Sequence, residues 1–306
     1  MPGRDLSIFE VNEIAASDKH AVEFLLNRLN LRGLGICNRP QCGRELSLQH
    51  YACGTDGYVL RCSKCKARSS IRKGTFWERC KLNAKQIVFL VYFWAARATN
   101  KQIETYINVS KPTCIDFLNF LREITSWKVL QHSEKLGGLG KIVQIDESVV
   151  YKPKYNVGHG FQTPAKWIFG AYDVEQKIGY VQFVDSRDSN ALFPIIQQWI
   201  EPGTEIHSDR WASYSGISNI PVFPPYIHKT VNHSENFVDP ITGAHTNNVE
   251  AYWSSVKRKF KILSGTSRSL TASYLDEHMW RNIYGSSTRS AFDSILAQIA
   301  EKYPLN

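Results

Sequence analysis

The stretch KIVQIDESVV (residues 141–150) decides the fold class of this chain. Its Val and Ile residues favour a β-strand, and the apolar run IVQID ends on Asp146. Just before it, the link KLGGLGK (135–141) holds three glycines in seven residues. Glycine disfavours helix continuation, so a domain boundary is predicted at this link.

Downstream of this stretch, the pattern alternates between strands and helices. Short loops separate the segments, and the three residues EQK between the second and third strands suit a hairpin. A helix is predicted to begin at Ser189 or Asn190, either of which can cap it. The segments are KWIFGAYDV (166–174), IGYVQFVD (178–185), helical SNALFPIIQQWI (189–200), TEIHSD (204–209) and YIHKTVN (226–232). Amphipathic helices complete the chain, which predicts a mixed α/β domain.

Composition narrows the class of protein. The 306 residues are 43% hydrophobic and 12% aromatic, enough for a sizeable core, and the net charge of +9 with a pI of about 9.1 indicates a polyanionic partner. Nucleic acid is the commonest such partner, and an anionic membrane surface is the alternative. No apolar run approaches the roughly 20 residues of a membrane span, and residues 1–30 lack the apolar core of a signal peptide. We therefore expect a soluble intracellular protein whose seven cysteines are thiols or metal ligands.

Two cysteine pairs predict a zinc site. Cys37 and Cys42 are separated by four residues, Cys62 and Cys65 by two, and about twenty residues lie between the pairs. Two tight loops that each present two thiolates suit tetrahedral Zn²⁺, with no open position for chemistry. His50 could replace one ligand, and unrelated thiols are the alternative. The remaining cysteines are Cys53, Cys80 and Cys114.

Basic residues surround the second pair. Residues 61–81 carry eight Lys or Arg against one Glu, which favours contact with DNA phosphates over a merely solvated face. The residues predicted to make that contact are Lys64, Lys66, Arg68, Arg72 and Lys73.

The helical segment that follows has the pattern of a helix-turn-helix. TNKQIETYINVSKPTCIDFLNFLREI (99–124) contains two helical stretches joined near Val109 and Ser110. Ser110 can cap the second helix, with Pro112 in its first turn. The second helix would then enter the major groove of DNA, although plain helical packing fits the same residues.

Three carboxylates occur at informative positions. Asp146 and Asp209 end predicted strands, and Glu250 lies in HTNNVEAYWSSVKRKFK (245–261), a helical segment. If the two strands are neighbours, the carboxylates can converge, and hard oxygen ligands of this kind select Mg²⁺ or Mn²⁺. Two such ions can support in-line attack on phosphorus. Alternatives with ordinary turn or salt-bridge roles are Glu147, which would point to the opposite face of its strand, Asp173 and Asp185.

The helical segment also places Glu250 and Lys257 on one face, two turns apart. A solvated amphipathic helix is the simplest explanation of that segment alone.

Taken together, these motifs resemble the Merlin superfamily of DDE transposases, which is related to bacterial insertion-sequence transposases. The matching stretches are RCSKCKARSSIRKGTFWE, VQIDES, KWIFGAYD, PGTEIHSDRWASY, VNHSENFVDP and HTNNVEAYWSSVKRKFK. The resemblance implies a ribonuclease-H-like catalytic fold with Asp146, Asp209 and Glu250 as the catalytic triad that ligates Mg²⁺ or Mn²⁺. It also implies that Lys257, with Lys259 in the same basic run, contacts DNA near the scissile phosphate. Relatives usually have two residues between the first cysteine pair, so the longer loop here leaves the zinc ligand set open.

The resemblance implies a domain order. It runs as an N-terminal helical lead-in (1–35), a zinc ribbon (36–81), a helix-turn-helix-like domain (82–134), a ribonuclease-H-like domain (141–285) and a C-terminal helix (286–306). His207, His233 and His245 fall inside the matching stretches, where core or second-shell hydrogen bonding is as good an explanation as a DNA contact.

The implied function is cut-and-paste DNA transposition. The partners would be terminal inverted repeats, target DNA and at least one further copy of the chain, with no membrane. The protein would act in the nucleus of a eukaryote, where KRKFK is a weak import signal, or in the cytoplasm and nucleoid of a prokaryote. The alternatives are a domesticated DNA-binding protein, a zinc-ribbon transcription factor, and another ribonuclease-H-like nuclease.

Overall fold

The chain divides into two compact units. Residues 1–128 with 284–306 form unit 1, and residues 129–283 form unit 2. The predicted C-terminal helix therefore belongs with the N-terminal segments. The computed structural model describes residues 5–29, 35–151, 166–263 and 268–304. Parts of the predicted lead-in (1–4 and 30–34) lie outside the described residues. Within those ranges, no helix has the length and apolar character needed to cross a bilayer.

Unit 1 is mainly helical. Its elements are α1 (Ile8–Ile14), α2 (Asp18–Arg28), β1 (Leu46–His50), β2 (Tyr58–Cys62), β3 (Arg68–Ser69), α3 (Ala84–Ala95), α4 (Asn100–Ile107), α5 (Lys111–Leu130) and α9 (Thr288–Lys302). In α2, Val22 and Leu25 are buried and lie on one side of the helix. Helix α9 packs onto it, with the Phe24 and Phe292 rings stacked at 5.9 Å.

The cysteine-rich segment forms an antiparallel sheet in the order β1-β2-β3. Cys62 ends β2, and its amide donates to the Ala67 carbonyl at 2.9 Å, which closes the turn that carries Cys65. The Cys37 amide donates to the Arg44 carbonyl at 2.8 Å and closes the other turn. Both cysteine pairs thus lie on hydrogen-bonded turns at one end of the sheet.

Helices α4 and α5 meet at a short turn, as the sequence predicted. Asn108 ends α4 in the left-handed region with φ of 51°. The Ser110 hydroxyl accepts a hydrogen bond from the Thr113 amide at 3.3 Å, so it caps α5.

Unit 2 is built around one mixed sheet. Its elements are β4 (Leu136–Gly137), β5 (Ile142–Tyr151), β6 (Lys166–Asp173), β7 (Ile178–Val184), α6 (Ser189–Trp199), β8 (Ile200–Glu201), β9 (Glu205–Asp209), β10 (Ile227–Val231), α7 (Asn247–Leu263) and α8 (Thr271–Ile283). The five-stranded sheet has the order β10-β9-β5-β6-β7. Strands β5, β6 and β7 are antiparallel neighbours, whereas β9 and β10 run parallel to β5.

The sheet buries both of its faces. Alternate β5 residues Val143 and Ile145 pack with α6 in the main core of the unit, while α7 and α8 cover the other face. Asp173 stabilises a turn, which is one of the two ordinary roles that the sequence predicted for it. Its Oδ1 accepts the amides of Glu175 and Gln176 at 3.0 and 2.8 Å. The short strands β4 and β8 were not predicted.

The predicted cap of α6 was wrong by one or two residues. Asp188 is the cap, and its Oδ1 accepts the Ala191 amide at 3.0 Å. A carboxylate satisfies a free amide at a helix start and also suits the positive end of the helix dipole.

Candidate active site and metal centre

Asp146 lies at the centre of the sheet, on the face covered by α7. Asp146 is on β5, and the residue opposite it on the neighbouring strand β6 is Gly170. A Cβ at Gly170 would lie 2.4 Å from the indole of Trp253, so only glycine admits that ring against the strand. The Trp253 Nε1–H donates to Asp146 Oδ2 at 3.0 Å. The close approach of α7 to the sheet thus fixes the orientation of this carboxylate.

Asp209 lies at the end of the neighbouring strand. β9 pairs with β5 in parallel up to His207 opposite Gln144, so Asp209 and Asp146 lie two residues further along their respective strands. Asp209 Oδ1 accepts the Trp211 amide at 2.9 Å. The structure therefore places the two aspartates on neighbouring strands, but the prediction that Asp146 ends its strand was wrong, because β5 continues to Tyr151 through its pairing with β6.

The electrostatics of the pair are unfavourable without a cation. Burial, together with the charges of Glu147 and Asp209, raises the pKa of Asp146 to about 7, although hydrogen bonds from the Glu147 amide and Trp253 partly offset this. Like charges that share a site disfavour ionisation of each other. A divalent cation between the carboxylates would remove that penalty, and their oxygen atoms are the ligands that Mg²⁺ and Mn²⁺ prefer.

Glu250 lies in the first turn of α7, but its carboxylate does not form one compact ligand set with the carboxylates of Asp146 and Asp209. Its Oε1 accepts from the Thr246 hydroxyl at 2.8 Å and lies 3.6 Å from His233 Nε2. Within the described part of the chain, the three acids are not a group whose oxygens all lie within 4.8 Å of one another. The Glu250 side chain is 52% exposed, so a change of rotamer is open to it.

Gln144 fixes the position of α7 relative to β5, a role that was not predicted from the sequence. Its side chain is fully buried, and its Oε1 accepts the amides of Asn248 and Val249 at 2.9 and 3.2 Å. Its Nε2 contacts His245 Nδ1 at 3.1 Å. The signal in the sequence was a single amide side chain between Val143 and Ile145, inside an otherwise apolar run.

Histidines in the matching stretches form further hydrogen bonds around the start of α7. His207 is buried, with Nε2 2.7 Å from Glu205 Oε1, and its Nδ1 accepts the His245 amide at 3.4 Å. His233 Nε2 contacts the Thr246 hydroxyl at 2.7 Å. These hydrogen bonds connect β9 with the segment before α7. The histidines therefore make hydrogen bonds within the protein, which is one of the two explanations that the sequence left open.

Glu147 points to the opposite face from Asp146, as a strand requires. It is buried, and Arg187 Nη2 lies 3.4 Å from its Oε2. Burial raises the pKa of Glu147, while the Tyr214 hydroxyl and Arg187 lower it in part. The guanidinium of Arg187 lies between the rings of Trp167 and Trp211, at 4.0 and 4.4 Å from their centroids. Glu147 therefore lies on the face of the sheet opposite to Asp146, where it pairs with Arg187.

The outer face of α7 carries basic side chains next to Glu250. The inward residues are buried, namely Val249, Tyr252, Trp253 and Val256. Lys257 is half-buried and lies two turns from Glu250, whereas Lys259 faces α8: its Nζ is 3.6 Å from Glu277 and 5.7 Å from the Tyr274 ring. Of these two predicted DNA contacts, Lys257 is therefore the better placed.

The four predicted cysteines of unit 1 lie close enough together to hold one metal ion. Their sulfur atoms all lie within 4.8 Å of one another, with Cys37–Cys65 at 3.4 Å and Cys42–Cys62 at 3.6 Å. The amide of Cys65 donates to Cys62 Sγ and is the main cause that lowers the pKa of that thiol to about 6. Four sulfurs at this spacing fit tetrahedral Zn²⁺. The longer first loop therefore does not displace a ligand, and His50 instead packs edge-on against Tyr58.

Most of the predicted DNA-contacting residues near this centre are exposed. They are Lys64, Lys66, Arg68 and Lys73. Arg72 is different: it is buried, and its guanidinium pairs with Asp56 and donates to the carbonyls of Cys80 and Leu82. The predicted DNA contact by Arg72 is accordingly replaced by a structural ion pair, because a buried and fully engaged guanidinium cannot reach a phosphate.

Comparison with known proteins assigns the class of unit 2. Residues 137–282 match the family model of the ISXO2-like transposase domain. An uncharacterized transposase-like protein of Haemophilus influenzae is 25% identical over 122 residues, which cover 40% of this chain and 93% of that protein. A structural match is the cryo-EM structure of a simian T-cell lymphotropic virus intasome in complex with PP2A regulatory subunit B56 gamma. It has 13% identity and a TM-score of 0.30 over 63% of this chain and 67% of that chain.

Residues 137–282 thus form a transposase domain. More particularly, the domain is of the ISXO2-like type, and the resemblance to transposases of bacterial insertion sequences is confirmed. The matched range begins at β4 and ends in α8, so it includes the candidate triad.

Proposed function

We propose that this protein is a metal-dependent, cut-and-paste DNA transposase of the DDE type. The observation that carries the proposal is the placement of Asp146 and Asp209 on adjacent parallel strands inside the ISXO2-like domain. The strand order, with three antiparallel strands followed by two parallel ones, supports a ribonuclease-H-like assignment. Glu250 is the third acid, held beside them on α7 by Gln144.

The chain's own residues would hold the DNA and the cations. Asp146 and Asp209 provide the metal-binding oxygens, and Glu250 completes the set when its side chain leaves Thr246. Bound Mg²⁺ or Mn²⁺ would supply charge neutralisation at the nucleophile and the leaving oxygen. Trp253 keeps the Asp146 carboxylate in a fixed orientation for that role.

Two displacements at phosphorus make up the proposed reaction. In the first, a water oxygen bonds to phosphorus at each element end, the P–O3′ bond breaks, and the released 3′-oxygen takes up a proton. In the second, that 3′-hydroxyl loses its proton and bonds to a target phosphorus, and a target 3′-hydroxyl leaves. No covalent enzyme intermediate is required.

Unit 1 would supply the recognition of DNA. The four cysteines hold Zn²⁺ in a structural role, and the exposed lysines and arginine of this ribbon contact phosphates. The capped pair α4 and α5 reads the terminal repeat. Joining two ends in one complex requires at least a dimer, and the nuclear or nucleoid location stays a prediction.

The test uses a DNA end from the element that encodes the chain. Wild-type protein should cleave and join that DNA in Mg²⁺ or Mn²⁺, while Asp146→Asn and Asp209→Asn should lose at least a thousandfold in rate and keep end binding. Asp188→Asn, which also removes one carboxylate from unit 2, should cleave normally. Tight, metal-independent binding without cleavage by the wild type would instead indicate a DNA-binding protein that has lost transposition.

A further inference from the structure

Residues 232–246 join β10 to α7 through a well-ordered turn. The Asp239 amide donates to the Ala244 carbonyl at 2.8 Å, and the Gly243 amide donates to the Asp239 carbonyl at 2.9 Å. Asp239 Oδ1 accepts the amides of Ile241 and Thr242 at 3.1 and 2.8 Å. The turn is therefore held by its own hydrogen bonds.

This turn presents apolar side chains to solvent. Phe237 is 81% exposed, Ile241 is 93% exposed and Val238 is 45% exposed. Large apolar groups that are grouped in this way on one rigid turn are a mark of an interaction surface. We call these three residues and the turn that holds them the apolar tip.

The apolar tip lies beside the candidate active site. β10 ends at Val231, which is paired with Asp209, and the chain enters the turn from there. The turn leaves through Thr246, whose hydroxyl contacts both His233 and Glu250. The Thr242 amide and hydroxyl lower the pKa of Asp239, as does the charge of Arg210, which places the exposed Arg210 close to the turn.

The surrounding charge favours DNA as the occupant. Arg210 follows Asp209 and is exposed, and Arg258 and Lys261 are exposed along α7, so these basic residues outnumber Glu235, the exposed acid of the turn. The Asp239 carboxylate is already used inside the turn. A protein partner seated on the apolar tip would also cover Glu250, which must stay open to the substrate.

We propose that the apolar tip inserts into DNA next to the scissile phosphate and holds the flanking bases unstacked. Apolar wedges of Phe and Ile are a known way to separate base steps. The proposal rests on the proposed function, because that function places the scissile phosphate at Asp146 and Asp209. It adds a second class of contact, to the faces of bases, beside the phosphate contacts of the basic residues.

The test compares binding to two fluorescent 30-base-pair DNA probes that differ at one end. One probe is fully paired, and the other has its last four pairs replaced by mismatches. Ca²⁺ replaces Mg²⁺ so that binding is measured without cleavage. The full chain should bind the splayed probe about tenfold more tightly, which is the scale of one or two stacked bases.

The variant is the double substitution Phe237→Ala and Ile241→Ala, and the matched control is Phe223→Ala. Phe223 is 91% exposed and precedes β10, so it lies at the opposite end of that strand from the apolar tip. The double variant should bind both probes equally, whereas the control should keep the wild-type preference.

Equal preference in the double variant and the wild type would overturn the proposal. So would a double variant whose only defect is loss of dimerisation in light scattering, since the tip would then be a protein interface. Cleavage of element ends without any preference for splayed DNA would refute the proposed insertion of the apolar tip into DNA and leave the transposase proposal intact. Loss of the preference in the double variant of a protein that never cuts would show that the apolar tip contacts splayed DNA, but it would refute the proposed function and the placement of the tip beside a scissile phosphate.

Discussion

Asp146 should destabilise unit 2 in the absence of a divalent cation, and the effect should grow with pH. The folded unit holds the Asp146 proton until its pKa of about 7, whereas the unfolded chain releases it near 3.8. Ionising the folded site therefore costs stability, and the cost increases from pH 3.8 to about 7 and is constant above that range. At 1.36 kcal/mol per pH unit, the cost is about 4 kcal/mol at pH 8 and about 2 kcal/mol at pH 5.

Replacing Asp146 by Asn removes the ionisation while keeping an oxygen to accept the Trp253 hydrogen bond. Urea unfolding of protein with Zn²⁺ retained and Mg²⁺ omitted, followed by tryptophan fluorescence, measures the effect. Asp146→Asn should exceed wild type in unfolding free energy by about 4 kcal/mol at pH 8 and by about 2 kcal/mol at pH 5. Added Mg²⁺ should stabilise the wild type and reduce this difference.

Asp188→Asn is the matched control. The Ser186 hydroxyl and the Ala191 amide lower the pKa of Asp188, so this group is ionised in both states at pH 5 and pH 8. Its effect on stability should be the same at both values. An Asp146→Asn gain that does not change between pH 5 and pH 8 would refute the argument that burial and like charge raise the pKa of Asp146.

Three further outcomes follow from the geometry. Gly170→Ala should lower the unfolding free energy by about 2 kcal/mol or more, because the new methyl would meet Trp253 at 2.4 Å; a Tm within a degree of wild type would contradict this close packing. Cys62→Ser should bind less Zn²⁺ by mass spectrometry and weaken the fold of unit 1, and full zinc occupancy in the variant would exclude the four-cysteine site. Lys257→Ala should weaken DNA binding more at low salt than at high salt, while Lys259→Ala should mainly lower stability; equal losses of affinity would refute the distinction between the two sides of α7.

The sequence predicted the strands of unit 2 well because their patterns are local. The apolar run before Asp146 and the hairpin turn at Asp173 both depend on neighbours a few residues away. The spacing of the cysteines likewise predicted their convergence, since a tetrahedral ion imposes one geometry on any chain that binds it. The two aspartates lie close together because β5 and β9 are adjacent parallel strands in register, although Asp146 lies in the middle of β5 and not at its end.

The parts that the sequence did not predict depend on distant contacts. Gln144 binds the start of α7, more than a hundred residues away, and although a lone amide in an apolar run marks this position as unusual, it does not identify the partner. Arg72 and Lys259 belong to basic runs, yet each is turned inward by a single acidic partner, Asp56 or Glu277. Composition identifies a charged segment, but the fold decides which of its charges meet solvent.

The placement of α9 with the N-terminal helices has a consequence for biosynthesis. Besides the Phe24–Phe292 stacking, Arg28 pairs with Asp293 at 2.7 Å, so α2 is completed by residues that are made much later. At about 5–20 residues per second, roughly ten to thirty-five seconds separate Lys128 from the end of α9. Unit 2 can fold on the ribosome during that interval while the segments before it wait. We therefore expect unit 2 to fold before unit 1 is complete, in the reverse of the order in which their first residues occur in the sequence.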